Sequence, residues 1–175
     1  HEEVRGRSDN QASASGTFSM YFDGGDVGLT TSEESIDALD LIAGPWLLIS
    51  TTGTVTVPGL SASDEDILGF SPSSLGSSTS GTWTMGFDGS DVGLGDTDDE
   101  DIDAMDVVGS NTVYLSTIGN FAVNGVSGTN EDVFTCVVTL AGSSTACNYS
   151  ASLYFDGSTW GLAANDVDAF QLLAT

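Results

Sequence analysis

An internal repeat with a period of about 65 residues constrains the fold of this chain more than any other feature. Residues 16–29 read GTFSMYFDGGDVGL, residues 81–94 read GTWTMGFDGSDVGL, and a degenerate third copy at 151–162 reads ASLYFDGSTWGL. A chain built this way folds by repeating one unit. The copies are residues 16–80, residues 81–150 and a partial third copy, residues 151–175.

Each copy continues into a second related element, read as SIDALDLI, DIDAMDVV and DVDAFQLL from Ser35, Asp101 and Asp166. Apolar and polar residues alternate along most segments, and Gly-rich turns separate them, as is typical of β-strands. Residues 35–42 are predicted as a strand, with a short helix capped by Ser32 as the alternative. Because two full repeats are too few for a propeller, we predict an all-β, jelly-roll-like β-sandwich.

The amino-terminal residues differ in composition from the rest of the chain. Residues 1–15 are polar apart from Val4 and show no alternation, which predicts a flexible arm in front of a single sandwich domain at 16–175. This arm holds Arg5 and Arg7, the chain's two basic residues besides His1. The first residue, His1, is typical of a mature chain from which a targeting peptide has been removed, although a trimmed chain would look the same.

The charge balance excludes several classes of function. The chain has 26 Asp and Glu against 2 Lys and Arg, a formal net charge of -24, and residues 8–175 contain no Lys, Arg or His. This excludes a histidine base, a Schiff-base lysine and an arginine phosphate clamp, and it also excludes nucleic acid and anionic membranes as partners. No apolar run is long enough for a membrane span. A glycosidase with two catalytic carboxylates is the remaining enzymatic alternative, but acids that recur in every copy indicate a scaffold, so no catalysis is predicted.

The recurring aspartates are candidate ligands for a cation. In the sequences DGGD and DGSD, two carboxylates flank a glycine-containing turn that can aim oxygen atoms at one point, and oxygen-only ligands favour Ca²⁺. The alternatives are solvated turns in which Asp caps its own backbone, and an acidic surface adapted to high salt. The predicted ligands are Asp23, Asp26, Asp37, Asp88, Asp91 and Asp103.

Two further features predict an oxidising, extracellular setting. Cys136 and Cys147 lie on either side of one turn, which predicts a disulfide across a hairpin, with two buried thiols as the alternative. Asn148 begins an N-glycosylation sequon, Asn-Tyr-Ser, whose alternative is an unmodified surface loop.

At these motifs a resemblance becomes visible. The units YFDGGDVGL with SIDALDLI, and GFDGSDVGL with DIDAMDVV, resemble the FDGSDVGL-type β repeats of secreted bacterial surface proteins over about residues 16–173. A short domain behind a polar arm also resembles subunits of extracellular, pilus-like filaments in which a jelly-roll-like domain is linked to its neighbour by an amino-terminal strand. The resemblance implies a structural role at the cell surface.

The chain is out of phase with its repeat at both ends, so its ends are open halves of one unit. We expect either closure inside one subunit or donation of the strand 17–22 to a neighbouring copy, with Arg5 and Arg7 lying against the acidic partner. The donated side chains would be Thr17, Phe18, Met20 and Phe22. Deletion of residues 1–22 is then expected to abolish filaments.

The sequence therefore predicts a non-catalytic subunit of an extracellular filament or surface assembly, a head-to-tail homopolymer supported by cations. The alternative is a secreted, monomeric, calcium-dependent β-sandwich module that binds carbohydrate through Trp160.

Overall fold

The computed structural model describes residues 16–42, 44, 46–95 and 97–172. In these residues the chain is all-β, with strands joined by turns and short 3-10 helices and with no α-helix. This confirms the predicted fold class. The strands are β1 Ile36–Leu41, β2 Leu47–Thr51, β3 Val55–Val57, β4 Leu60–Ala62, β5 Ile67–Ser74, β6 Ser80–Phe87, β7 Ile102–Val108, β8 Thr112–Thr117, β9 Phe121–Val123, β10 Val126–Gly128, β11 Phe134–Leu140 and β12 Ala146–Tyr149. The 3-10 helices are η1 Gly25–Val27, η2 Ser90–Val92, η3 Asp98–Glu100 and η4 Gly157–Trp160.

The strands form two four-stranded antiparallel sheets with the same internal order. The first sheet runs β1-β2-β5-β6 and the second, read from its other edge, runs β7-β8-β11-β12. Each sheet is accompanied by a two-stranded hairpin, β3-β4 or β9-β10. The sequence repeat is therefore a repeat of structure. Residues 36–41 form a strand, so the helical alternative for this element is wrong.

Two clusters of buried apolar side chains fill the sandwich-like sets. In the first copy, Ile49 and Phe70 from the sheet pack with Val55 from the hairpin, and all three are fully buried. In the second copy, Leu115 takes the place of Ile49, and Phe134, the counterpart of Leu68, stacks on Phe121 of β9. Alternation along each short strand sends these side chains inward, which is why the hairpins close over the sheets.

The first two copies interlock because the first sheet takes its fourth strand from the start of the second copy. Strand β6 belongs to the second copy by sequence, yet it pairs with β5 of the first, with Phe70 opposite Trp83. Strand β12 lies just before the third copy, and it places Tyr149 opposite Cys136 of β11. The buried Trp83 donates from Nε1 to the carbonyl of Val27, 2.9 Å away, which ties the two units together.

Candidate functional site

Residues 16–20 are the counterparts of β6 in the first copy, but they belong to no strand of the described chain. Phe18 is fully exposed and Met20 is more than half exposed, whereas Trp83, the counterpart of Phe18, is buried in the core. The predicted donor strand therefore includes one large apolar side chain, Phe18, with no cover among the described residues and a second, Met20, that is only partly covered.

The position of this segment is fixed at its carboxyl end. Phe22 forms a parallel bridge with Gly76, and Phe87 forms the equivalent bridge with Gly142. The amide of Gly76 donates to the carbonyl of Tyr21 over 2.8 Å, which anchors the end of the segment to the turn between β5 and β6. Residues 16–20 therefore run away from the end of the first sheet in the same way that residues 80–85 run away from the end of the second sheet. Residues 80–85 then pair with β5 and complete the first sheet.

A second feature lies where the copies stack on one another. We call it the acidic junction, and it combines carboxylates from β1, from the turn before β5, from β7 and from the third copy. Each carboxylate of the junction repels at least one neighbouring carboxylate. The junction consists of Asp37, Asp64, Glu65, Asp101, Asp103 and Asp166.

Backbone hydrogen bonds seat the copies on one another in the same way at both steps. The amide of Ile102 donates to the carbonyl of Asp64 over 3.4 Å, and the amide of Val167 donates to the carbonyl of Asn130 over 3.0 Å. Strand β1 also packs directly against β7. Equivalent carboxylates are therefore brought to equivalent places at each step of the stack.

Carboxylate side chains also bridge successive copies through the backbone. Asp40 Oδ2 accepts from the amide of Val107 over 2.9 Å. Its counterpart Asp106 accepts from the amide of Leu172 over 2.9 Å and from Nε2 of Gln171 over 2.8 Å. These two aspartates are satisfied, and their role is to hold the stack in register.

The central members of the junction differ because their oxygens are buried without donors when they are ionised. Asp101 is 5% exposed and Asp103 is 4% exposed. Oδ1 of Asp101, both carboxylate oxygens of Asp103 and Oδ2 of Asp37 have no hydrogen-bond donor when the carboxylates are ionised. A shared proton joins Asp103 to Asp166 when one of these two groups is protonated. Leaving a buried carboxylate unsatisfied costs free energy, which favours the protonated form of these groups.

The pKa values of these groups are shifted upward, chiefly by burial. Burial raises the pKa of Asp37 to about 6 and that of Asp101 to about 7. Burial, followed by repulsion from Asp166, raises the pKa of Asp103 to about 8. Glu34 lies elsewhere and behaves in the opposite way, because backbone amides of Thr30, Thr31 and Thr56 lower its pKa to about 2.

A cavity of about 60 Å³ opens beside these carboxylates. Its wall contains the equivalent tripeptide from each copy, Asp-Ala-Leu at 37–39, Asp-Ala-Met at 103–105 and Asp-Ala-Phe at 168–170. Asp168, which ends up beside the two predicted ligands Asp37 and Asp103, was not among the predicted ligands.

The aspartates of the DGGD and DGSD loops lie elsewhere, where Asp23 and Asp88 accept hydrogen bonds within their own turns and Asp26 accepts one from the turn before β6. Asp23 Oδ1 accepts from the amide of Gly25 over 3.1 Å, and Asp26 Oδ2 accepts from the amide of Thr79 over 2.9 Å. Asp88 Oδ1 accepts from the hydroxyl of Ser90 over 2.8 Å, and Asp91 is exposed beside it. The structure thus brings together Asp37 and Asp103 but not the four loop aspartates.

Asp64, Glu65, Asp101 and Asp166 were missed by sequence reasoning. Residue 64 begins the DED that precedes β5, and an NED recurs at the same phase before β11, so their recurrence was the available signal. Within the described residues, no three His, Cys, Asp or Glu side chains form a ready-made metal site.

Three other predicted features have clear positions. Cys136 and Cys147 form a disulfide that joins β11 to β12 with a Cα–Cα distance of 5.8 Å, which confirms the pairing. Asn148 is exposed on β12, and Trp160 is 77% exposed at the end of η4. Arg5 and Arg7 lie outside the described residues.

Comparisons of this chain with models of protein families, with curated proteins and with solved structures give no match. No helix in the described part of the chain is long and apolar enough to cross a membrane.

Proposed function

We propose that this protein is a non-catalytic structural subunit of an extracellular filament or surface assembly, joined head-to-tail by strand addition through residues 16–20. Phe22, at the end of the predicted donor strand, packs on Phe70 of its own subunit and is not part of the donated segment. One observation carries the proposal. Residues 16–20 stand outside every sheet, while their counterparts in β6 complete the sheet of the preceding unit. The same sequence element is therefore used as an exchanged strand inside the chain, and its first copy is left without an acceptor among the described residues.

The acceptor is a sheet edge of a neighbouring unit. Strand β5 already has β2 and β6 on its two sides, and β11 has β8 and β12. The other edge strands, β1 and β7, pack against each other, so the edges left open in the described chain are the outer sides of β6 and β12. The outer side of β6 is bridged only at its end, where Phe87 pairs with Gly142. An added strand would satisfy backbone groups on both partners.

Strand addition would also cover the exposed apolar side chains. Burying a phenylalanine such as Phe18 contributes about 1.5 to 3 kcal/mol. The pairing joins two different surfaces, so it does not close as a two-fold dimer and propagates a filament. Subunits that carry a formal charge of -24 repel one another, so salt and cations are expected to promote growth.

A second candidate is a secreted, calcium-dependent module that binds carbohydrate. It is favoured by Trp160, whose side chain is 77% exposed and available for stacking on a sugar ring. In that case the chain would remain monomeric, and Trp160→Ala would abolish retention on an immobilised glycan.

The experiment is electron microscopy with sedimentation of the purified chain over a range of concentration and salt. A variant lacking residues 1–20 removes the free segment but keeps Phe22, whose ring packs 5.3 Å from that of Phe70. We expect the full chain to form filaments and this variant to remain a folded monomer by circular dichroism. A variant lacking residues 1–15 is the control and should still assemble.

The point variant Phe18→Asn tests strand addition independently, because Phe18 is fully exposed and contributes nothing to the core of its own subunit. It should weaken assembly without changing the melting temperature of the monomer. Filaments of unchanged subunit repeat from the variant lacking residues 1–20 would overturn strand addition, and so would a full chain that stays monomeric under every condition.

A further inference from the structure

We infer that the acidic junction is a binding site for Ca²⁺ centred on Asp103, with Asp37 of β1 on one side and Asp166 and Asp168 of the third copy on the other. The site concerns the folded subunit and does not depend on strand addition. It also differs from a site in the DGGD and DGSD loops, because its ligands come from three successive copies of the repeat.

The first argument is the state of Asp103. The residue is 4% exposed, and its two carboxylate oxygens have no donor other than a proton shared with the carboxyl group of Asp166, with which Asp103 is hydrogen-bonded when one of the two is protonated. Asp166, the strongest of the charges acting on it, is another carboxylate, and Asp37 and Asp101 repel it as well. Two ionised carboxylates are acceptors only and cannot satisfy one another. A positive ligand is therefore required whenever these groups are ionised.

The second argument is that the protein cannot supply that positive charge from within its body. Residues 8–175 contain no Lys, Arg or His, so no positively charged side chain there can form an ion pair with Asp103. A bound cation removes the repulsion between the carboxylates and also supplies the partner that their orphaned oxygens lack.

The third argument concerns the size and chemistry of the space. The cavity of about 60 Å³ has Asp37, Asp103 and Asp168 in its wall, and it is large enough for an ion with a retained water. The candidate ligands are carboxylate oxygens from β1, from β7 and from the third copy, and they suit Ca²⁺, which accepts 6–8 oxygens in irregular geometry. Mg²⁺ requires a stricter octahedron and dehydrates reluctantly, so it should bind more weakly.

Ion-free carboxylates repel one another, so the ion is expected to draw Asp37 and Asp166 toward Asp103. The two steps of the stack would then be tied together through a single ion. Because Asp103 is already buried, the ion does not have to strip water from this ligand. Ca²⁺ should therefore bind more tightly than it would to an exposed aspartate.

The test is isothermal titration calorimetry of Ca²⁺ into the full, EDTA-treated chain at fixed ionic strength and pH 8, with thermal unfolding in parallel. We expect saturable binding with a dissociation constant on the order of 0.1 to 1 mM, the range of extracellular modules. Asp103→Asn should weaken binding at least about tenfold. Asp98→Asn, an exposed aspartate of η3 with the same change in charge, should leave affinity within about twofold.

Thermal unfolding separates a binding role from a merely structural one. Without calcium, Asp103→Asn should be as stable as the wild type or more stable, because it removes a buried, repelled charge. With calcium, that order should reverse. Asp166→Asn, whose side chain is exposed, provides the same comparison if Asp103→Asn does not fold.

Absence of heat and of a thermal shift at 5 mM Ca²⁺ would overturn the inference. Equal stabilisation by NaCl at matched ionic strength would also overturn it, since that result indicates screening alone. Loss of binding in Asp91→Asn together with unchanged affinity in Asp103→Asn would place the site in the DGSD loop and refute the junction.

Discussion

Removing the disulfide between β11 and β12 tests how much the edge strand β12 depends on covalent support. Cys136 is fully buried in the centre of the second sheet, and Cys147 lies on the short edge strand β12. Because β12 pairs with β11 alone, its outer side has no neighbouring strand in that sheet. The perturbation is the double variant Cys136→Ala, Cys147→Ala, which removes the crosslink without burying a new polar group.

The magnitude follows from the length of the closed loop. The two cysteines are 11 positions apart, and the chain-entropy relation for a loop of that length gives about 2.8 kcal/mol at 25 °C. For a chain of this size, 1 kcal/mol corresponds to about 2 to 4 °C in melting temperature. The expected decrease is therefore about 6 to 11 °C.

The assay is thermal unfolding followed by circular dichroism, with and without a phosphine reductant. Reduction should lower the melting temperature of the wild type by a similar amount and should leave the double variant unchanged, which controls for effects of the reductant itself. A decrease of less than about 2 °C in both experiments would show that β12 is held by its hydrogen bonds and side-chain packing alone, and the loop-entropy reasoning would be wrong.

Three further predictions concern groups that join the copies. Asp40→Ala leaves the amide of Val107 without its acceptor and should lower the free energy of unfolding by about 1 to 3 kcal/mol in urea titrations. Trp83→Phe removes the donor to the carbonyl of Val27 and should cost a similar amount, and an unchanged midpoint would refute that role. In calcium-free buffer the raised pKa of Asp103, about 8, means that the folded state holds a proton that the unfolded state has lost above about pH 4. Stability should therefore fall as pH rises from 5 to 8, and a rise in melting temperature over that window would contradict it.

The repeat, the strands and the disulfide could be predicted because they depend on local patterns. Alternation along 36–41 predicts a strand whatever its neighbours are, and the turn between Cys136 and Cys147 brings the two thiols together within one hairpin. The exchange of β6 into the preceding sheet could not be predicted in this way. Its sequence specifies an edge strand with one inward face, and nothing in that pattern specifies which copy supplies the partner.

The acidic junction was only partly predictable for a related reason. Asp37 and Asp103 were found because they recur at one phase of the repeat, but position 101 is occupied by Ser35 in the first copy, so recurrence did not mark it. Conversely, the DGGD loop was predicted to bind a cation because two aspartates lie close together in its sequence. In the structure, Asp23 accepts a hydrogen bond within its own turn. The carboxylates of different copies come together only because of how the copies stack. The sequence of a single copy does not show that stacking.

The stacking itself explains why an array of these units should depend on cations. Each step is held by an aspartate that accepts from the next copy, Asp40 from Val107 and Asp106 from Leu172. The same step also buries carboxylates that no donor satisfies when they are ionised, as at Asp103. An interface of apolar side chains would hold equally well in any ionic medium. An interface that buries ionised carboxylates closes fully only when a proton or a cation is present, so each copy added to the stack brings a further requirement for one.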